Sequence, residues 1–465
     1  NMSGVISDHN INNTKIVKES EKTKETEGHK MPFLKKSIIF SITFGFFGVN
    51  MAFALQSSMM GRIFQTLGAN PNNLGWFFIL PPLAGMVIQP LIGYYSDHTW
   101  NRFGRRMPFL LVTGPIGALV LILLPNAGSF GFGYASLMAL LFGALMTLFM
   151  DLTANACMQP YKMVIGDMVN EDQRDMAWSW QQTFSNMGGI IATILPFVLT
   201  ALGVANVAPK GEVPPTVKIA YYIAAVVLLV ASIWTVLSVK EYEPKKYNYY
   251  HGISEDAKEK RINLLQLLKT APKQFWQISF VQFFNWFAIM YLWTYSTGAI
   301  AKNVWNTTDP ASAGYQAAGN WYGLLFCVQS IASVLFGFVI AKSKPEQRKF
   351  WYSFGLVIGG LGFISIFFIH NQWLLIISFL LIGINNLTMN TQPFTLLSES
   401  IDGKNSGAYL GLFNISICLP QIVASVVSFG LFPLLGSSMP AMLLLAGIML
   451  MIGALSVRFI DAKFS

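Results

Sequence analysis

The sequence predicts an all-α membrane protein built from two six-helix halves. Three observations lead there. The 465-residue chain is 53% hydrophobic and only 11% charged, with a mean hydropathy of +0.49; a soluble surface of this size needs far more charge. The apolar residues come in long blocks, each near the roughly 20 residues that cross a bilayer as a helix. One charged stretch near the middle, 240–273, divides these blocks into two groups of six.

Taken in order, residues 1–30 are polar and mixed in charge (KIVKESEKTKETEGHK) and, up to the tail's end at residue 36, lack the apolar core of a signal peptide. They read as a disordered cytoplasmic tail. Spans follow at about 37–62, 74–96, 107–126, 133–160, 176–204 and 219–239, making a first half of 37–239. The stretch 240–273 (KEYEPKKYNYYHGISEDAKEKRINLLQLLKTAPK) holds no span and reads as a central loop. The second half, 274–465, has spans at about 274–300, 318–341, 351–370, 373–394, 406–430 and 437–459.

Orientation follows from Lys and Arg. Of the 31 such residues, all but Arg62, Lys210, Lys218 and Lys302 fall in the tail, the central loop, the C-terminal end or connections on the tail's side. That places both termini in the cytoplasm of a multi-pass protein of the cell (inner) membrane. The formal charge of +9 is then a topology signal, with the lipid bilayer as partner and no nucleic acid. Cys157, Cys327 and Cys418 lie in apolar segments without CxxC spacing and read as small buried hydrophobes. The five histidines are scattered. No metal site or cofactor is expected, and without a nucleophile–base pair or phosphate loop the chain is not expected to be an enzyme.

The two halves echo each other. Span 4 ends in Gln159-Pro160 and span 10 in Gln392-Pro393. Phe184-Ser185-Asn186 in span 5 is matched by Phe413-Asn414 in span 11. Such a repeat implies a pseudo-twofold axis and a site between the halves near the midplane.

One acid sits deep in span 4, in FMDLTANACMQPYK (149–162). Asp151, Asn155 and Gln159 are spaced i, i+4, i+8 and form one stripe. Asp151 lies about 13 Å from Pro160 along a helix. An ionised carboxylate there costs about 2.5–3.5 kcal/mol on insertion scales. It persists by facing a cavity, meeting a cation or staying protonated, and a buried acid that gains and loses a proton can couple transport. The other reading is that Asp151 neutralises a basic residue. The matching repeat position is Ile384, so the acid belongs to one half.

The loop after span 2, GYYSDHTWNRFGRR (93–106), contains Gly93, Asp97, Arg102, Gly104, Arg105 and Arg106. It resembles the G-x-x-x-D-x-x-x-x-R-x-G-R-R signature of the major facilitator superfamily. FGRRMPFL, the Asp151 segment and SGAYLGLFNISICLPQIVAS (406–425), with Gly407, Gly411, Asn414, Pro420 and Gln421, narrow the likeness. They resemble the sugar–proton symporters that include the plant sucrose transporters. The bacterial branch is nearer, because span 7 (WTYSTGAIA) lacks the charges of the plant members.

The resemblance implies a major facilitator fold, a monomer, and import of a neutral disaccharide or short oligosaccharide with protons. Asp151 takes the proton-binding position, with Asn155 beside it. Asp97, Arg102, Arg105 and Arg106 form a gating loop, and Asp167 with Arg174 fits a gating pair. Lys162 stands where plant members have arginine, either as a gate partner of Glu399 or as a snorkelling anchor.

Sugars are held by amides and aromatic faces. The spans offer Asn50, Gln56, Gln89, Gln181, Asn186, Gln282, Asn285, Asn414 and Gln421, with Trp286 and Trp293 as rings. The cluster Gln282, Asn285 and Trp286 stands out on span 7. Helix-to-helix bonding is the alternative for each amide. Sodium coupling, drug or metabolite export and a non-transporting membrane sensor are the rival functions.

Overall fold

The computed structural model describes residues 31–251, 264–400, 409 and 412–462. The polar tail 1–30, Gly407 and Gly411, and the side chains of Arg174 and Glu399 lie outside the described residues. The helices follow the apolar blocks. The first half contains α1 (Lys36–Thr66), α2 (Leu74–Asp97), α3 (Met107–Leu123), α4 (Leu137–Met168), α5 (Glu171–Ala201) and α6 (Pro215–Ser238). The second contains α7 (Lys273–Trp305), α8 (Ala313–Ala341), α9 (Arg348–Phe368), α10 (Leu375–Ser400), α11 (Ile415–Leu434) and α12 (Met439–Ser456). The described part of the central stretch, read as a loop without a span, carries two short helices, Pro244–His251 and Leu264–Lys269. Among the described residues the extended structure is a single bridge, Asn101 to Gly104.

Among the described residues, ten stretches are long and apolar enough to cross a membrane. The other two, α7 and α10, are of similar length but richer in amides: Gln274, Gln277, Gln282 and Asn285 on α7, Asn385, Asn386, Asn390 and Gln392 on α10. Caps cut the short connections. Ser136, Asn170, Ser312 and Ser438 each accept a backbone N–H at the start of α4, α5, α8 and α12, satisfying donors that a helix start leaves open.

The repeat is visible in the packing. In the first half α1 packs on α5 and α6, α2 on α4, and α3 on α4 and α6. In the second, α7 packs on α11 and α12, α8 on α10, and α9 on α10 and α12. Adding six to each label turns one set into the other. The halves meet through α1 with α7, α2 with α11, and α5 with α8. The last two pairs exchange under the same operation, as a pseudo-twofold requires.

Small residues set the closest approaches. A Cβ on Gly188 of α5 would lie 2.3 Å from the carbonyl oxygen of Phe47 on α1. Gly188→Val should therefore push two helices of one half apart and cost roughly 1–3 kcal/mol. It should lower the melting temperature in detergent, whereas Gly430→Ala, with no neighbour within 4 Å, should leave it in place.

Candidate functional site

A cavity of about 200 Å³ lies between the halves. The first half lines it with Gln56 and Ser57 of α1, Gly85 and Gln89 of α2, and Asp151 and Asn155 of α4. The second contributes Met290 and Trp293 of α7, Asn414 ahead of α11, and Cys418 and Gln421 within α11. Pro81 and Pro82 of α2 form part of the wall.

Asp151 is 1% exposed. Neither carboxylate oxygen has a hydrogen-bond partner among the described residues. Gln56 faces it, and the Gln56 amide nitrogen is also unpartnered, so the two sit just beyond a formed bond. Tyr221 of α6 is close enough to feel the charge, but its hydroxyl is turned to the Met60 sulfur at 3.5 Å. Among the described residues no Lys or Arg is paired with Asp151.

One turn along, Asn155 is held in a chain. Its amide donates to the Asp151 carbonyl oxygen at 2.8 Å, and its side-chain oxygen accepts from Gln89 Nε2 at 2.7 Å. Gly85 leaves room for this: a Cβ there would lie 3.4 Å from Asn155 Oδ1. Asn155 is thus positioned by two helices, and Gln89 and Gln56 present polar groups beside an acid with open lone pairs.

The other amides expected at a ligand divide into groups. Asn414 lines the cavity and is exposed. Asn50 donates to the Ser185 carbonyl oxygen at 2.5 Å, and Gln181 to the Ser185 hydroxyl at 3.2 Å, so both are used within the first half. Asn186 is half-buried on α5 and does not line this cavity. Gln282 and Asn285 are fully buried and have no hydrogen-bond partner among the described residues, and they lie away from the cavity lining. Trp286 reaches the site indirectly, its ring edge-on to Trp293 with centroids 6.4 Å apart. Cys418, read as an inert core residue, is on the cavity wall, and all three cysteines are free and buried.

The signature loop builds a second cluster at the end of the bundle that carries the termini. Arg106 is 1% exposed and bonds Asp97 at 2.7 Å and Asp167 at 2.9 Å, joining the ends of α2, α3 and α4. Its other terminal nitrogen donates to the Ser96 hydroxyl. Glu241, following α6, accepts the backbone N–H groups of Arg105, Arg106 and Met107 at 2.6, 2.8 and 3.2 Å. It caps the start of α3, where donors and the helix dipole favour a carboxylate. Gly104 permits this: its φ is +123°, and a Cβ there would lie 2.2 Å from the Glu241 carboxylate.

The remaining loop cations make ring contacts. The Arg105 guanidinium lies over the Tyr247 ring at 4.1 Å and that of Arg102 over Phe103 at 4.7 Å. Tyr247 also donates to Asp167 at 3.3 Å, fastening the short helix Pro244–His251 to the cluster. Asp167 thus pairs with Arg106, and its expected pairing with the Arg174 side chain lies outside the described residues. Lys162 is half-buried on α4 and has no ion pair among the described residues.

Residues 42–425 match the Major Facilitator Superfamily. The chain belongs to this superfamily. It is similar to the sucrose transport protein SUC4 of Arabidopsis thaliana, 21% identical over 429 residues, covering 82% of this chain and 81% of that protein. It is also similar to the general alpha-glucoside permease of Schizosaccharomyces pombe, 22% identical over 300 residues, covering 62% and 53%. Among solved structures, the inward-open xylose transporter XylE from E. coli superposes with a TM-score of 0.65 at 14% identity, covering 91% and 95% of the two chains. The nucleoside transporter NupG superposes at 0.66 with 12% identity, covering 91% and 98%. At these identities the structures carry the fold, two packed six-helix halves.

In this superfamily member the loop cluster has a pH signature. Burial pushes the Glu241 carboxyl above the usual carboxylate range, and the nearby Asp167 charge adds to the rise against the pull of the three amide donors. A raised native value means that folding takes up a proton here. The contribution to stability is full below the unfolded value of about 4.3 and is lost as pH rises through the native value. Melting curves from pH 4 upward should fall more steeply for the wild type than for Glu241→Gln; equal slopes would exclude Glu241 as the source.

Proposed function

We propose that this superfamily member is a sugar–proton symporter that imports a neutral disaccharide or short oligosaccharide by alternating access. The observation that carries the reading is Asp151, an acid buried in the inter-half cavity with both oxygens unpartnered. An isolated carboxylate in hydrocarbon is tolerated where its charge can be removed or compensated. A proton does this directly, and an acid at the junction of two moving halves meets different surroundings in each state. The two conformations then hold the proton with different affinity, which is what coupling requires.

The cargo side rests on two supports. The relatives are named for sucrose and alpha-glucoside transport. Around Asp151 the wall combines amides, Gln56, Gln89, Asn155 and Gln421, with the Trp293 ring, a chemistry that suits hydroxyls and sugar C–H faces. With the termini in the cytoplasm, proton and sugar enter from the opposite end and leave on the terminal side. A sodium symporter would favour several clustered oxygen ligands, whereas among the described residues Asp151 is the one carboxylate lining this cavity. Bonding of Arg106 with Asp97 and Asp167 inside one half fits a loop that keeps α2, α3 and α4 together while the halves rock.

In proteoliposomes an inward-directed proton gradient should drive accumulation of a maltose- or sucrose-type glycoside, and a sodium gradient alone should not. Asp151→Asn should abolish uphill accumulation while sparing sugar exchange at equal pH; proton-driven accumulation by this variant would sink the assignment. Trp293→Ala should raise the KM for sugar about 2- to 10-fold, the scale of one aromatic contact, while the pH dependence of uptake stays that of the wild type.

A further inference from the structure

Arg62, near the end of α1, is 1% exposed and has no carboxylate partner among the described residues. Three neutral amide oxygens surround it. Nε donates to Gln316 Oε1 at 2.7 Å, and the two terminal nitrogens donate to Asn320 Oδ1 and Asn206 Oδ1, both at 2.9 Å. Gln316 and Asn320 belong to α8 of the opposite half, while Asn206 follows α5 of the same half.

The acceptors are themselves held in place. Gln316 Nε2 donates to the Thr66 hydroxyl at 3.0 Å, Asn320 Nδ2 to Thr200 at 2.6 Å, and Thr216 donates to Asn206 at 2.7 Å. Gly319 gives the guanidinium its bed, since a Cβ there would lie 2.5 Å from Arg62 Cδ and Nε.

This cluster sits where the halves touch. Gly61 abuts the Thr294 carbonyl, Gly75 that of Ser425 and Gly323 that of Thr193. Trp76 meets Phe429 with centroids 4.8 Å apart, and Phe197 meets Trp321 at 6.1 Å. All lie toward the end of the bundle away from the termini. A cavity of about 230 Å³ adjoins this layer, and Gln65 and Tyr315 line it with unpartnered polar atoms, so water has a place to enter as the layer parts.

We propose that Arg62 is the latch of this end: a guanidinium fork on amides of the opposite half that forms when the end closes and dissolves when it opens. The choice of amides makes the latch reversible. A buried charge without a counter-ion carries a desolvation cost, and opening returns the guanidinium to water. The two charge-assisted bonds to Gln316 and Asn320 offset that cost on closing. A carboxylate in place of one amide would bind the fork more tightly, and an ammonium in place of the fork would reach fewer acceptors. The inference rests on the alternating-access reading but not on the cargo.

The test uses the full chain in nanodiscs, with nitroxides at Asn73 and Ala313, at the starts of α2 and α8 on opposite sides of this end, and pulsed electron-resonance distances read without sugar. Asn320→Asp should shift the distribution toward the short, closed population and Arg62→Lys toward the long, open one, each by roughly tenfold in the population ratio, the scale of one charged hydrogen bond. Gly319→Ala, which drives a methyl into the guanidinium, should shift in the direction of Arg62→Lys and replaces it if that variant does not fold. Unchanged distributions, or shifts of the same sign for the carboxylate and lysine variants, would overturn the latch. Failure of sugar uptake leaves this result standing, because no cargo is present.

Discussion

An acid without a partner, buried between two packed bodies, governs the rest of this molecule. Asp151 cannot face lipid as a charge, so the surfaces around it must supply a polar cavity. They do so from both halves: α1, α2 and α4 on one side, α7 and α11 on the other. A cavity shared in this way exists only while the halves keep a defined spacing. Each half must therefore be firm on its own. The repeated pairings, α2 on α4 and α3 on α6, then α8 on α10 and α9 on α12, supply that firmness.

The two clusters of charge outside the cavity divide these tasks. Arg106 with Asp97 and Asp167 joins three helix ends of one half, and Glu241 adds the segment that follows α6. Such internal bonds hold the ends of one half together. Arg62 does the reverse, reaching across the seam to Gln316 and Asn320. The acceptors differ accordingly. Carboxylates hold the arginine whose contacts are internal, and neutral amides hold the one whose contacts span the seam. A strong pair suits a body, and a weaker one suits a joint that opens.

Much of this was legible in the sequence because it is local. Apolar run length locates the helices. The i, i+4, i+8 stripe places Asn155 beside Asp151, and Gly104 followed by two arginines marks the tight turn at the start of α3. Short helices within the central stretch, such as Pro244–His251, have too few residues to leave an apolar pattern. What pattern could not reach is pairing over long separations. Arg62 counted only as one of the few positive charges on the far side, because its acceptors stand 144, 254 and 258 positions away. Nor could spacing tell a ligand amide from a packing one. Asn50 and Gln56 sit within two turns of each other on α1, yet one is spent on the Ser185 carbonyl and the other opens on Asp151. The 100° step between helical positions sets which neighbour each meets, and that neighbour is a tertiary fact.

The two halves share a packing plan but not a chemistry. Position 151 in one half corresponds to Ile384 in the other, and the buried amides Gln282 and Asn285 of α7 lie away from the shared cavity. The first half thus brings the ionisable group, and the second brings Trp293, Asn414 and Gln421 to the facing wall. Under the symporter reading this asymmetry has a purpose. A proton bound to one body alone would travel with it and report nothing about the other. A solute lodged between Asp151's half and Trp293's half contacts both, so its presence alters the seam that the acid senses. Coupling then needs no wire between distant sites, only a cargo and a proton that occupy one cavity whose two walls belong to different moving parts.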